Sequence, residues 1–258
     1  FIIYDKKMTK YADHIFTNSK FTNNLVKKIY NRRATIIYPG YNDNKFFPVD
    51  KEKGDYIFVV SRLTKFKRVN KIIDIFNRYK KHSNSDTKLI IAGDGEDRNY
   101  LENYSKSSRF SKDIVFKGRV PEDRLIKYLQ SAKFVIFSTI DEPFGMVPVE
   151  SMACGTPVIA YNSGGVSESI VHNYTGFLAK DDEQFYTYLK NGLDNEEYIR
   201  LSKNCNQHVK KKFSWDIISS HTNESLNEYI WGWKMQKVGI LTFPIITSGI
   251  TPLSNLVS

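Results

Sequence analysis

The stretch FVIFSTIDEPFGMVPVESMACGTPVIAYNSGG, Phe134 to Gly165, decides the fold. It holds two apolar runs, FVIFS (134–138) and PVIAY (157–161), joined by a loop and a short segment rich in small residues. A strand with one wet face alternates apolar and polar residues, whereas a run apolar throughout belongs to a strand buried on both faces, as in a parallel sheet. Parallel neighbours need a crossover, usually a helix. The stretch therefore predicts strand, loop, a helix beginning near Met146 or Val147 and closed by Gly155, then a second strand. The final SGG, Ser163 to Gly165, stands in the same relation to that strand and opens another helix.

The same grammar extends outward. YIFVV (56–60), KLIIAG (88–93) and IVFKG (114–118) are further strand candidates. Between them lie the helical patterns VNKIIDIFNRYKK, DRNYLENYSK and PEDRLIKYLQSA. The last starts on Pro121, where a missing N–H costs nothing. This order predicts an α/β fold, a Rossmann-like doubly wound parallel sheet with flanking helices, over residues 56–213. Before it, ADHIFTNSKFTNNLVKKIY reads as a strand and a helix capped by Ser19, and ATIIYPG as another strand. Residues 41–55 form a polar stretch that reads as an interdomain linker. Residues 214–234 read as an amphipathic helix.

Residues 235–258 are unusual, because no charge occurs from Val238 to Ser258. Pro244, Pro252 and many hydroxyls interrupt the run, so it does not read as a membrane span, which needs about 20 predominantly apolar residues. KVGILTFPIITSG looks instead like a buried strand and a turn. It is either a tail returning to the first domain or the start of another Rossmann-like domain.

Composition narrows the function classes. With 41% hydrophobic and 14% aromatic residues in 258, the chain is globular rather than disordered. The net charge of +10 is spread along the chain, with one local cluster, KFKR at 65–68. No nucleic-acid motif accompanies it, so nucleic acid is not an expected partner. Cys154 and Cys205 form no C-x-x-C pair, and no signal peptide is recognisable at Phe1 and the residues after it, which together favour a cytoplasmic setting. The five histidines are dispersed, so no metal site is expected.

Ligands of doubly wound sheets bind outside the carboxyl ends of the strands, and the candidate site residues fall in those loops. A helix beginning near Met146 would present the N–H groups of Gly145, Met146 and Val147 to an anion. Glu150 then falls in the first helical turn, where it reaches a sugar hydroxyl or simply stabilises the dipole, an effect of roughly 0.3–1 kcal/mol. Glu142 precedes the helix in a loop that gives no structural reason for a carboxylate, beside the anion site, and so points to the reacting part of a ligand. Ser163, Gly164 and Gly165 offer a second set of donors. Arg62 and Lys67, in SRLTKFKRVNKII, suit a diphosphate, with Lys65 and Arg68 read as solvated. In GDGEDR the third glycine of a dinucleotide fingerprint is replaced by Arg98, while Gly93 and Gly95 still make a tight turn open to a ligand.

Taken in order, SRL…K, GDGE, VFKGRV leading to LIKYLQSAKFVIFST, and EPFGMVPVESMACGTPVIAYNSGG resemble the C-terminal, donor-binding half of the family-4 retaining glycosyltransferases of the GT-B fold. The resemblance covers roughly Ala12 to Ile230. It implies a nucleotide-sugar donor, UDP- or GDP-linked, whose diphosphate lies against Arg62, Lys67 and the helix terminus after Phe144 and Gly145. It also implies that Glu150 holds the ribose, that Glu142 faces the sugar near its anomeric carbon, and that the backbone at Arg119 and Val120 meets the base. No cofactor or metal is implied, since the two cations stand in for one. The implied acceptor is a glycan or a lipid-linked sugar, the latter bringing the protein to the inner face of a membrane as a peripheral partner. Two departures stand out. Arg68 occupies a position where the family often has glycine, and residues 1–40 match only the last part of an acceptor domain, without its histidine. A non-catalytic donor-binding fragment, or a GT-B epimerase or phosphorylase, are the alternative readings.

Overall fold

The computed structural model describes residues 9–83, 85–232 and 238–240. Its main body is a sheet of six strands: β3 (Tyr56–Val60), β4 (Lys88–Ala92), β5 (Ile114–Gly118), β6 (Phe134–Phe137), β7 (Val158–Tyr161) and β8 (Gly176–Ala179). The strand order is β5-β4-β3-β6-β7-β8, and every pairing is parallel. Successive residues feed opposite layers, as the period of two requires. Ile57 and Val59 enter one core and Phe58 the other, and all three are essentially inaccessible. One layer is closed by α2 (Val69–Lys81), α3 (Arg98–Lys106) and α7 (Asp182–Asn191), through Ile72, Phe76, Leu101 and Phe185. The other is closed by α4 (Glu122–Ser131), α5 (Met146–Ala153) and α8 (Asn195–Phe213), through Leu129, Val149, Met152 and Val209. Each such side chain, fully buried, contributes about 1.5–3 kcal/mol of transfer free energy.

The five expected strands are present within a residue of their predicted ends. β8 is the addition. It is short and begins on Gly176, where an added Cβ would lie 2.2 Å from the Val158 carbonyl oxygen. Close approach to β7 selects glycine there, and the same glycine weakens the strand signal.

A smaller parallel sheet is built from β1 (His14–Thr17), β2 (Thr35–Ile36) and β9 (Val238–Ile240), in the order β2-β1-β9. Between β1 and β2 runs α1 (Lys20–Tyr30), capped by Ser19, whose hydroxyl accepts from the Thr22 N–H at 3.0 Å. β9 falls in the run expected to start a strand, and it registers His14 against Val238. The continuation of that run lies outside the described residues.

Residues 41–55, read as an interdomain linker, pack against the main body. Tyr41 and Phe46 are buried, and the Tyr41 N–H donates to the Phe213 carbonyl at 3.0 Å. Farther along, Lys53 Nζ donates to the Gln130 carbonyl at 2.6 Å, and the Gln130 amide to the Phe47 carbonyl at 2.9 Å. The segment is a strap beneath the amino ends of β3, β6 and β7, held by two buried aromatic residues, Tyr41 and Phe46, that its polar composition masks. After α8, Ser214 breaks the helix and α9 (Trp215–Gly232) follows.

Candidate functional site

The direction of strand succession reverses between β3 and β6, which are neighbours in space but far apart in sequence. A crevice forms at such a switch point because the loops leaving the two strands diverge. A cavity of ≈ 850 Å³ fills it, walled by the loop after β3 (Ser61, Arg62, Thr64 to Arg68) and the loop after β6 (Thr139 to Pro143, Gly145 to Val147). A larger cavity, ≈ 1050 Å³, lies at the opposite end of the sheet between the strap and α8, and none of the predicted site residues line it.

Arg62 and Lys67 come to the first cavity from one side, and Glu142, Gly145, Met146 and Val147 from the other. Lys67 Nζ meets Glu142 Oε2 at 2.6 Å, with both side chains about four-fifths buried. The Ser138 hydroxyl bonds the Lys67 carbonyl and so ties the lysine turn to the end of β6. Arg62 is exposed, and no carboxylate pairs with it among the described residues. Across from it α5 begins with Gly145 as its N-cap, at φ +83°, with no side-chain cap and no acidic residue in its first turn. Pro148 stands third in this helix, where its lack of an N–H is harmless. The result is a positive helix end and four basic residues, Arg62, Lys65, Lys67 and Arg68, around one space, with two carboxylates, Glu142 engaged by Lys67 and Asp141 by the Ser163 hydroxyl.

Two side chains that the sequence did not mark as ligand contacts also line this space. Thr64 is 4% exposed, and its hydroxyl has no hydrogen-bond partner. Arg68 Nη1 is likewise buried and unpaired. A buried donor without a partner costs about 1–3 kcal/mol, so each is suited to be satisfied by a ligand. Arg68 is not the solvated residue it was expected to be. It takes the left-handed conformation, φ +53°, ψ +32°, and lays its guanidinium 4.8 Å from the centre of the Tyr161 ring. The backbone thus takes the shape glycine favours, and the cation–π contact offsets part of the strain.

Other predicted residues stand elsewhere. Glu150 is the fifth residue of α5, on its second turn rather than its first, and does not line the cavity. Burial, reinforced by Glu122, raises its carboxyl above the usual range. Gly93 and Gly95 pack closely on the Arg62 loop: a Cβ at Gly93 would lie 1.8 Å from the Ser61 oxygen, and one at Gly95 2.3 Å from the Leu63 oxygen. Their absent side chains let the β4 loop clamp the Arg62 loop, with the Leu63 N–H on the Asp94 carbonyl at 2.9 Å. Ser163, Gly164 and Gly165 form a buttress behind the Glu142 loop, not a wall of the cavity. The Gly165 N–H donates to the Glu142 carbonyl at 2.7 Å, and Ser163 Oγ to Asp141 Oδ1 at 2.6 Å. Phe144 is buried against Tyr38 and Phe213. Arg119 is exposed and Val120 packs on the core, both beyond the end of β5 and outside the cavity lining.

A family model described as glycosyl transferases group 1 matches residues 41–212, which contain this whole site. The chain belongs to that family. It is 31% identical over 215 residues to an uncharacterized glycosyltransferase of Methanocaldococcus jannaschii, covering 82% of this chain and 58% of that one. It is 28% identical over 250 residues to the alpha-1,3/1,6-mannosyltransferase ALG2 of Homo sapiens, covering 86% and 59%. The chain thus spans a little over half the length of these relatives. Among solved structures, sucrose-phosphate synthase from Thermosynechococcus elongatus superposes with a TM-score of 0.78 at 21% identity, over 90% of this chain and 62% of that one. Anabaena HepE, in complex with UDP and glucose, gives 0.77 at 18% identity, over 88% and 67%. The fold is that of the GT-B glycosyltransferases.

Proposed function

We propose that this chain is the donor-binding half of a hexosyltransferase. In this reading it takes a nucleotide sugar, UDP- or GDP-linked, and passes the sugar to a glycan or lipid-linked acceptor with retention of anomeric configuration. The observation that carries it is the convergence of Arg62, Lys67 and the uncapped N-terminus of α5 on one cavity at the switch point. Three positive groups around one space match a diphosphate: among the described residues Arg62 and the helix end have no carboxylate partner, and Lys67 has Glu142 alone. The relative solved with UDP and glucose supports the same donor class.

The geometry orders the events. Lys67 is held by Glu142 at 2.6 Å, so an arriving diphosphate competes with that carboxylate for the ammonium. Once released, Glu142 stands beside the anion site, where the sugar attached to the diphosphate would lie. As the bond from the anomeric carbon to the diphosphate oxygen breaks, negative charge grows on that oxygen. Groups aimed at it act on the transition state more than on the ground state, which is how Arg62, Lys67 and the helix end would lower the barrier.

Calorimetric titration with UDP tests the assignment. Arg62→Ala and Lys67→Ala are each expected to weaken binding by roughly 1.5–3 kcal/mol, the range of hydrogen bonds to charged groups. Unchanged affinity in both would overturn the diphosphate site. GDP and ADP titrated in parallel select the base. The span of the chain, little more than half that of its relatives, favours one second reading, a donor-binding module without transfer activity. Sugar release from a labelled donor by the isolated chain separates the two.

A further inference from the structure

Glu168 does not line the donor cavity, yet its carboxylate accepts three hydrogen bonds. It lies on α6 (Val166–Ser169), directly after the loop that buttresses Glu142. Its Oε2 accepts from the Lys20 N–H at 2.9 Å and from the Tyr38 hydroxyl at 2.9 Å, and its Oε1 from the Phe21 N–H at 2.8 Å. Lys20 and Phe21 are the first two residues of α1, 148 and 147 positions away in sequence.

α1 depends on this contact for physical reasons. The first N–H groups of a helix have no partner within it, and the Ser19 hydroxyl caps that of Thr22, leaving those of Lys20 and Phe21. No acidic residue stands in the first turn of α1, so the helix lacks a negative charge of its own where its dipole is positive. Glu168 supplies both from the other sheet. The surroundings hold it in place: Lys212 Nζ donates to its carbonyl at 2.8 Å, and Tyr38 packs edge-on to Phe213 and, tilted, on Phe144.

The path back to the site is short. Three residues before Glu168, Gly165 donates to the Glu142 carbonyl at 2.7 Å, and a Cβ at Gly164 would lie 2.5 Å from the same oxygen. Helix α1, Glu168, the glycine loop and the Glu142 loop are thus in successive contact.

We propose that Glu168 is a positioning residue: it seats α1, part of the sheet beside the donor domain, against the glycine loop, and couples that seating to occupancy of the donor cavity. The proposal rests on the donor reading above. Movement of the Glu142 loop when a diphosphate takes Lys67 would pass through Gly165 to Glu168 and reach α1 as a change in the protection of its first amides.

Amide hydrogen exchange at Lys20 and Phe21, read by NMR on the full chain with and without UDP, tests this. In the wild-type chain UDP is expected to change exchange at both amides by threefold or more. Glu168→Gln keeps the shape but has one acceptor oxygen for three donors. It is expected to speed exchange at these amides tenfold or more, to abolish their response to UDP, and to leave UDP affinity unchanged. A merely structural clasp would show the faster exchange but keep the UDP response, which overturns the coupling, as does a wild-type chain that binds UDP without any change at α1. Absence of UDP binding by the wild-type chain overturns the donor reading itself and the coupling with it, and calorimetry distinguishes that case. Tyr38→Phe removes one of the three donors and keeps the ring. It is expected to halve the UDP response without altering affinity, and an undiminished response would count against the proposal should Glu168→Gln fail to fold.

Discussion

In the proposed reading, Lys67 and Glu142 are the pair on which the chemistry turns. Each was legible as a loop charge next to a strand end, but their 2.6 Å contact was not, because 75 residues separate them. The contact changes what a substitution should do. Glu142→Gln removes the carboxylate that competes for Lys67, so UDP is expected to bind as well as or better than to the wild type, while sugar transfer by a complete enzyme falls sharply. Weaker UDP binding in this variant, measured by calorimetry, would mean that Glu142 does not hold the lysine in reserve. Glu150 illustrates the opposite case. Its spacing from Glu142 was plain, but its depth was decided by packing, which puts it on the second turn and away from the cavity. Glu168 carried no signal of its own, since an isolated carboxylate after SGG looks like a residue favouring the start of a short helix.

Among the elements, the glycine turns carry the most information and the most misdirection. GDGE and SGG read as loops open to a ligand, and in both the glycines also bring backbone close to backbone. Gly165→Ala would bring a Cβ to 2.0 Å from the Pro143 carbonyl oxygen, and Gly93→Ala one to 1.8 Å from that of Ser61. Neither neighbour can yield without moving a loop of the site, so each variant is expected to lose about 1–3 kcal/mol of stability, the usual cost of overpacking. Thermal denaturation of the two variants checks this, and wild-type midpoints would show that the loops are looser than the distances imply. Strands were read well for a physical reason: burial on both faces leaves an unbroken apolar run, and five of the six parallel strands have one. β8 lacks it, because its first position must be glycine to pass the β7 backbone.

For the molecule as a whole, the strap of residues 41–55 matters most. Its Lys53 lies over the Tyr198 ring, 5.3 Å from its centre, and donates to the Gln130 carbonyl and the Thr156 hydroxyl, with no carboxylate paired to it among the described residues. Burial pulls its ammonium down from 10.5 to about 8. Between those values the unfolded chain holds more protons than the folded one, so this residue makes stability rise with pH from about 8 upward. Below pH 8 the ammonium is charged in both states and its desolvation cost is felt in full. Lys53→Met is expected to remove this contribution, so that the stability difference between the two proteins changes with pH between 8 and 10, while the buried cysteines and tyrosines, whose raised pKa values act in the opposite sense in that range, are common to both. Urea midpoints of the two proteins across that range provide the measurement, and parallel slopes would refute it. The two cysteines behave as small apolar residues in this interior, buried and unpaired, with the Cys154 thiol pushed up to about 12.

Sequence alone determined the alternation of strands and helices, the parallel sheet, the loops that carry Arg62, Lys67 and Glu142, and the helix end at Gly145. These are local properties, set by side-chain periodicity, by the preferences of helix ends, and by where glycine and proline are tolerated. Only the tertiary structure decided which loops meet: Lys67 on Glu142, the SGG turn behind rather than inside the cavity, and Glu168 on the first amides of α1. Strand order and loop packing bring together residues whose separation leaves no periodic trace, and a carboxylate acquires its role from the donors that folding places against it.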